Sequence, residues 1–172
     1  GSIIQIPKQE LGHVPVAYYS LKEVVSHMPV LLERKVTVQG NICRIAVQLR
    51  SKLTNKSNLQ DLTICVAVPE RVDGDSVEIV RGEDGRWDQL KRTISWQLET
   101  LNQGESVMVS AHAKLWKDAV EGDDIRFPIV LRCSSSADQI SSAEFEVVEV
   151  NGQPSRLSVS KVTSFRLLHR LT

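Results

Sequence analysis

RTISWQLETLNQGESVMVSAHAKL, residues 92–115, is the stretch that decides the fold. From Ile94 onward, apolar residues including Trp96 alternate with polar ones, which is the two-residue period of a β-strand with one buried face. A polar break that ends at Gly104 favours a turn, and the alternation returns from Val107 to the end of the stretch. The pattern therefore predicts an antiparallel hairpin at the centre of a β-sandwich, with Trp96 buried in its core.

Alternating apolar patterns recur on both sides of this stretch. Residues 42–50 alternate with four apolar side chains inward, and residues 62–69 are rich in β-branched residues and end at a proline. Residues 125–133 alternate around Pro128, which favours an edge strand or a bulge there. The Asn-Gly pair at 151–152 is a strong signal for a two-residue turn, in a loop that the following Gln-Pro pair lengthens. At least eight such segments, with almost no helical period, predict an all-β fold: an antiparallel β-sandwich, immunoglobulin-like in general architecture.

Three further segments have weaker patterns. Residues 14–28 indicate a strand from Val14 to Ser20, and the periodicity does not decide whether a helical turn follows it. Residues 30–39 alternate well, although Arg34 interrupts their apolar face. Trp87 lies among polar residues, so we expect it in a loop just ahead of the central hairpin.

The length and composition are those of one ordinary globular domain. The chain has 172 residues, within the range of single all-β domains, and its 41% hydrophobic and 24% charged residues are typical of such domains. Residues 1–2, Gly-Ser, are expected to be the remnant of a cleaved tag, so the sequence is expected to be a piece of a longer protein. Residues 3–13 then form a leading segment, and residues 14–172 form a single β-sandwich domain.

The charge balance and the hydropathy argue against two classes of partner. Lysine plus arginine total 21 residues, and so do aspartate plus glutamate, so no net charge attracts the chain to nucleic acid. Aromatic residues are too few, and too rarely placed among basic ones, for a nucleic-acid stacking surface. No apolar run approaches the ~20 residues that a transmembrane helix needs. We therefore expect neither a nucleic-acid partner nor a transmembrane segment.

Motifs for catalysis, cofactors and zinc are missing from the sequence. It has no phosphate-binding glycine loop, no nucleophile elbow and no zinc-protease motif, and its four histidines are scattered. Its three cysteines, Cys43, Cys65 and Cys133, lie in apolar strand patterns without any CxxC pair. We expect reduced thiols in the core, a cytoplasmic location, no bound zinc, no cofactor and no catalytic activity.

Acidic residues are concentrated in predicted turns, as at Asp73 and Asp75 and again at residues 121–124. Such clusters bind calcium in some proteins, because hard oxygen ligands on flexible loops suit that ion. A calcium- or sugar-binding sandwich of a secreted protein is therefore one alternative function. Solvated turns are the ordinary explanation of the same pattern.

Eight basic residues, in two groups, are the candidate partner-binding residues. Charges on the outward face of a strand commonly improve solubility and protect an edge from aggregation. The same charges also suit an anionic partner, either an acidic peptide or a phosphoinositide headgroup. The first group follows one predicted strand into the loop after it, and the second lies towards the end of the chain: Arg44, Arg50, Lys52 and Lys56, then Arg156, Lys161, Arg166 and Arg170.

Several stretches together resemble the μ-homology domain of clathrin adaptor medium subunits and of muniscins, the FCHo- and Syp-type endocytic proteins, with their TPLATE/TSET relatives. The resemblance lies in LTNKSNLQDLTICVAVP (53–69) and GRWDQLKRTISWQLETLNQGESVMVSAHAKL (85–115), where a strand ending in proline precedes a Trp-to-Gly-Glu pattern. Residues 127–150 and 157–171 resemble later strands of that domain. The match covers about residues 14–171, less than the full domain of two β subdomains, so the chain resembles either the second subdomain or a reduced domain of a muniscin-like protein.

This resemblance implies a non-catalytic protein-interaction module of a clathrin-associated endocytic adaptor. Its expected partners are the tails of cargo proteins or endocytic scaffold proteins, and its expected location is cytoplasmic, at the plasma membrane or clathrin-coated pits. The family's pocket for tyrosine-based sorting signals cannot be placed residue by residue on this sequence, so Trp87 and Trp96 are not assigned to it. Binding to phosphoinositides at a membrane surface is the first alternative function.

Overall fold

A computed structural model of the chain describes residues 3–6, 15, 18, 20, 25, 27–141, 144, 146–154 and 162–172. Within these ranges the chain forms β-strands and one short 3-10 helix, Gly74–Ser76, which is capped by the Asp73 side chain. The strands in chain order are β1 (Val30–Gln39), β2 (Ile42–Ser51), β3 (Leu59–Ala67), β4 (Glu78–Arg81), β5 (Arg86–Asp88), β6 (Thr93–Leu101), β7 (Ser106–Lys114), β8 (Ile129–Ser135), β9 (Glu149–Val150), β10 (Gln153–Pro154) and β11 (Phe165–Leu171).

Two antiparallel sheets pack face to face as a β-sandwich. One has four strands in the order β1-β2-β7-β4, and the other has five in the order β11-β8-β3-β6-β5. Alternate side chains of both sheets point between them into one apolar core, to which Val47 and Val109 contribute from the first sheet and Ile64 and Leu131 from the second. The predicted all-β fold, an antiparallel sandwich of immunoglobulin-like general architecture, is confirmed.

Trp96 lies at the centre of this core, as the alternation of β6 predicts. It is among the largest fully buried side chains, and its indole N–H donates to the carbonyl of Arg81 at 3.2 Å. The indole N–H is the ring's one polar group, and this hydrogen bond satisfies it, so burial of the side chain leaves no unpaired donor. Burial of a tryptophan contributes on the order of a few kcal/mol to folding.

The predicted hairpin between β6 and β7 is wrong, because the two strands lie in different sheets. β6 pairs with β3 and β5, whereas β7 pairs with β2 and β4. The turn between them crosses from one sheet to the other, and the end of β2 holds it: Gly104 N–H donates to Ser51 O at 3.0 Å, and Ser51 N–H donates to Glu105 O at 2.9 Å. Alternation shows which face of each strand is buried, but it does not show which strand it pairs with. Strands of two facing sheets bury their faces against the same core, so they show the same pattern as the two strands of a hairpin.

Trp87 is also placed differently from the sequence prediction. It belongs to β5, an edge strand that pairs with β6, and it packs half-buried against the core instead of lying in a polar loop. The guanidinium of Arg92 lies 5.9 Å from the centre of its ring. The strand has only three residues, which is too few to show an alternating pattern, and the polar residues around Trp87 therefore indicated a loop.

Two other expectations are corrected by the sheet order. Pro128 precedes β8, which lies inside its sheet between β11 and β3, so the proline marks neither an edge strand nor a bulge. It needs no N–H there, and its carbonyl accepts from Ala67 N–H at 2.8 Å.

Cys43 and Cys133 are buried as expected, but Cys65 is only half-buried, because it points to the outer side of β3.

The Asn-Gly turn is confirmed, and it is tighter than predicted. Asn151 and Gly152, with φ of 51° and 79°, connect β9 directly to β10, so the Gln-Pro pair that follows is strand and does not lengthen the loop. Most of residues 14–28, for which a strand and a helical turn were considered, lie outside the described residues.

Candidate functional site

The two groups of predicted basic residues, as far as the structure describes them, lie on opposite sides of the sandwich. Arg44 and Arg50 are exposed on β2, on the outer face of the four-stranded sheet, and the loop after this strand carries Lys52 and Lys56. Arg166 and Arg170 are exposed on β11, on the outer face of the five-stranded sheet. Arg156 and Lys161 lie outside the described residues. The described members of the two groups therefore do not form one patch.

The outer face of the four-stranded sheet carries charges of both signs. Arg44 is paired across the sheet with His112, whose Nε2 lies 2.8 Å from a carboxylate oxygen of Glu78 on β4. A neighbouring cross-strand row places Lys35 of β1 and Arg81 of β4 at its two ends. These two cations come from strands far apart in sequence, so no local pattern could show that they share a face with Arg44.

The outer face of the five-stranded sheet carries three arginines around Leu168, with the Asp61 carboxylate nearby, 3.3 Å from the Ser134 hydroxyl. Arg166 and Arg170 flank Leu168 on β11, and Arg132 of β8 is the direct cross-strand partner of Leu168. Within the described ranges, none of the three guanidinium groups forms an ion pair. Arg132 was missed from the sequence because its own segment contains no other basic residue between Arg126 and the end of β8.

A buried polar network fixes the loop that carries Lys52 and Lys56. The Asp138 carboxylate accepts from the backbone N–H groups of Lys56 and Ser57 at 2.7 and 3.1 Å and from the Ser135 hydroxyl at 3.0 Å. Burial opposes ionisation of Asp138, but these hydrogen bonds outweigh it, so the pKa of this carboxyl lies below its ordinary value. Lys56 is therefore presented from an ordered loop.

Within the described ranges, the first strand of the four-stranded sheet has an unpaired edge. β1 is ten residues long and pairs with β2 along its whole length, and in the described part of the chain no strand pairs with its other side. The remaining edge strands are shorter: β4 has four residues with a register irregularity, β5 has three, and β11 has seven. A long unpaired edge offers a row of free N–H and C=O groups to another strand.

Arg34 explains the interruption in the apolar face of β1. Its side chain points to the inner side of the strand, where one guanidinium nitrogen donates to the carbonyl of Phe127 at 2.6 Å and the other donates to the main-chain oxygen of Thr172 at 3.2 Å. The arginine therefore ties β1 to the segments that precede β8 and follow β11.

Two adjoining clefts run along the inner side of β1. Their volumes are about 460 and 430 Å³, and they share Val36, Asp124 and Ile125. The chain between β7 and β8 forms the opposite wall. The first cleft reaches Arg34 and the second reaches Gly40, so together they follow the second half of the strand. No sequence pattern indicated this groove, because its two walls meet only in the folded chain.

Several carboxylates of the acidic turns already cap a helix or form ion pairs within the chain. Asp73 caps the 3-10 helix, Asp123 pairs with Arg71 at 2.8 Å, and Asp124 pairs with Arg126 at 2.6 Å. The hydrogen bond from Arg71 is the main reason why the pKa of Asp123 is lowered. Across the described ranges, no three His, Cys, Asp or Glu side chains come together as a group that could hold a metal ion. The same residues include no helix that is long and apolar enough to cross a membrane.

Comparisons with known proteins give a match at the level of structure. No protein-family model matches the chain, and no curated protein matches it. Among solved structures, 58 chains match. One is the Fcho1 Mu homology domain from Danio rerio with bound Eps15 peptide, with a TM-score of 0.51 and 13% identity over 63% of this chain. This chain spans only 39% of that chain's length, and at this identity the similarity shows a shared fold.

Proposed function

We propose that this chain is a non-catalytic protein-interaction module that binds extended segments of partner proteins along β1. The observation that carries the proposal is the ten-residue edge of β1, which pairs with no strand among the described residues and has a groove beside it. In strand addition, main-chain hydrogen bonds supply affinity, and pockets for alternate side chains supply specificity. β1 offers both features side by side. The bound Eps15 peptide in the Danio rerio structure supports peptide binding for this fold.

We further propose that the partners are tails of cargo proteins or endocytic scaffold proteins, bound on the cytoplasmic side of the plasma membrane at clathrin-coated pits. The sequence resemblance to the μ-homology domain supports this role, as does the fold shared with the Fcho1 domain. Titration of the chain with a labelled Eps15 peptide tests the role directly. We expect saturable binding that a scrambled peptide of the same composition does not show. Equal binding of the two peptides would contradict this finer assignment.

Selection from a displayed library of random linear peptides tests the broader proposal. Val38→Lys places a charge in the groove, and Leu31→Lys places the same charge on the outer side of the same strand; the two residues are 36% and 47% exposed. We expect the library to yield peptides whose binding is lost in V38K and kept in L31K. A library that yields no binding peptide, or peptides that bind V38K as well as the wild type, would overturn the proposal.

A second candidate function is binding to anionic membrane surfaces through the five-stranded sheet. It is favoured by the three arginines around Leu168, which form no ion pair among the described residues. Sedimentation with vesicles of phosphatidylcholine containing a phosphoinositide tests it. We expect a triple variant with R132E, R166E and R170E to lose salt-sensitive binding, and a variant with R44E and R50E to keep it. Unchanged sedimentation of the triple variant would rule out this face.

A further inference from the structure

We infer that the groove beside β1 is polarised, and that it selects segments with a basic residue at one end, apolar residues in the middle and an acidic residue at the other end. This inference rests on the proposed function, because it assumes that an extended segment binds along β1. It goes further by naming the chemistry of the partner and its direction. The occupant that we infer is a segment of a partner protein, added antiparallel to β1.

The middle of the groove is lined by apolar side chains and by Asp124, whose carboxylate is already paired with Arg126. Val36 and Val38 lie on the same side of β1, two residues apart, and Ile125 lines both clefts from the opposite wall. Val120 lines the second cleft and is 69% exposed, so it forms an open apolar rim. Two alternate side chains of an added strand would reach this space, because side chains on one face of a strand recur every second residue. Apolar side chains there would remove this surface from water.

One end of the groove is cationic. Arg34 lines the first cleft, and its hydrogen bonds go to the main-chain oxygens of Phe127 and Thr172. Within the described ranges no Asp or Glu side chain pairs with it. Arg126 lies at the same end, but Asp124 pairs with it at 2.6 Å. An acidic side chain of the partner is the group that suits the remaining charge.

The other end of the groove is anionic. Glu121 lines the second cleft, is exposed, and forms no ion pair in the described part of the chain. The neighbouring Asp123 is already paired with Arg71. Gly40, just after the end of β1, has no side chain and leaves this end open. A basic side chain of the partner fits beside Glu121.

The spacing along β1 converts this polarity into a sequence pattern. Arg34, Val36, Val38 and Gly40 follow one another at intervals of two residues on the side that faces the groove. Each strand pair of both sheets is antiparallel, and antiparallel pairing is slightly more stable per residue. An antiparallel partner therefore has seven residues in the groove. Counted from its amino end, the first is basic, the third and fifth are apolar, the seventh is acidic, and the residues between them are unrestricted.

Two labelled peptides of identical composition test the inference by fluorescence anisotropy. KTVTLTE follows the inferred pattern, and ETVTLTK reverses its two charges. We expect the wild-type chain to bind KTVTLTE at least about fivefold more tightly than ETVTLTK. At each end of the groove the reversed peptide replaces a charge attraction by a repulsion, and each such interaction has the size measured for exposed ion pairs. Equal affinities, or tighter binding of ETVTLTK, would overturn the inference.

A charge exchange at one end gives the sharper comparison. Glu121→Lys should make ETVTLTE bind more tightly than KTVTLTE, which inverts the order for the wild type. Glu33→Lys is the matched control, because Glu33 is an exposed residue on the opposite side of β1 and receives the same change in charge. We expect E33K to keep the wild-type order. An inversion in E33K, or none in E121K, would contradict the inference.

The outcomes separate the two proposals. If neither heptapeptide binds, while library-derived peptides bind in a manner that V38K abolishes, the inferred pattern is wrong and peptide binding along β1 stands. If the library also yields nothing, both proposals fail. Binding of a second copy of this chain to the groove would appear as a concentration-dependent dimer that V38K dissociates, and it would likewise overturn the assignment to a partner protein.

Discussion

The guanidinium of Arg34 donates to the main-chain carbonyl of Phe127 at 2.6 Å, and this contact ties the edge strand of one sheet to the segment that enters the other sheet. The two residues are 93 positions apart in sequence, so the contact closes the side of the sandwich on which the groove lies. Arg34 therefore combines a structural role with a charge that faces the proposed binding site.

Removal of this charge should destabilise the fold. Arg34→Gln shortens the side chain and leaves the Phe127 carbonyl without its charged donor, for which we expect a loss of about 1–3 kcal/mol in the free energy of unfolding. Urea denaturation followed by tryptophan fluorescence measures it. Lys35→Gln, on the outer side of the same strand, is the control and should change stability by no more than about 0.5 kcal/mol. Equal effects of the two variants would contradict the structural role of Arg34.

Asp138 should make stability depend on pH in the acid range. Because the pKa of its carboxyl is lower in the folded chain than in the unfolded chain, its contribution is complete above the unfolded value of about 4 and is lost as the pH falls through the folded value. We expect Asp138→Asn to be destabilised at pH 7 and to lose less stability than the wild type between about pH 5 and pH 3. Thermal melts across this range measure the difference.

Asp118→Asn is the matched control for this titration, because Asp118 is exposed. Its melting temperature should follow that of the wild type at each pH. If D138N and the wild type lost stability in parallel as the pH fell, the network around Asp138 would not be the source of the dependence.

Gly82 should tolerate no side chain, because it lies against Trp96. It has a φ of +88°, and an added Cβ would lie 2.5 Å from Cδ1 of the Trp96 ring. Gly122 has nearly the same φ, +86°, with nothing within 4 Å of an added Cβ. Both alanine variants incur the cost of a left-handed backbone, and G82A should lose about 1–3 kcal/mol more because of the clash in the core. Equal losses in the two variants would mean that Trp96 does not pack there.

The three cysteines should react at different rates. Burial raises the pKa of the Cys133 thiol to about 11 and also raises that of Cys43, whereas Cys65 is half-buried on the outer face of its sheet. Since the thiolate is the reactive form, we expect an aromatic disulfide reagent to modify one thiol quickly in the native chain and three after denaturation. Cys65→Ser should abolish the fast phase. A fast phase that remains in C65S would contradict the placement of the other two.

Much of the fold could be predicted because its signals are local. The alternation in β2 identifies which side chains are buried and places Arg44 and Arg50 on the outer face, and the Asn-Gly pair specifies its turn. Trp96 is buried as its strand pattern indicates. These features depend on residues a few positions apart, where the geometry of a strand or turn decides the outcome.

The pairing of strands could not be predicted in the same way. β6 and β7 show the same alternation whether they form one hairpin or face each other across the core, so this pattern does not distinguish the two arrangements. The candidate site depends on the same information. Its groove forms between β1 and the chain that leads into β8, and the arginines around Leu168 come together only through the pairing of β8 with β11.

Amide hydrogen exchange, measured with and without a peptide selected from the library, tests the central claim most directly. If partner segments add to the edge of β1 that no described strand pairs with, exchange at residues 30–39 should slow on binding, while exchange in β5 at the far edge of the other sheet should not change. Protection of another surface, with residues 30–39 exchanging as they do in the free chain, would contradict the account.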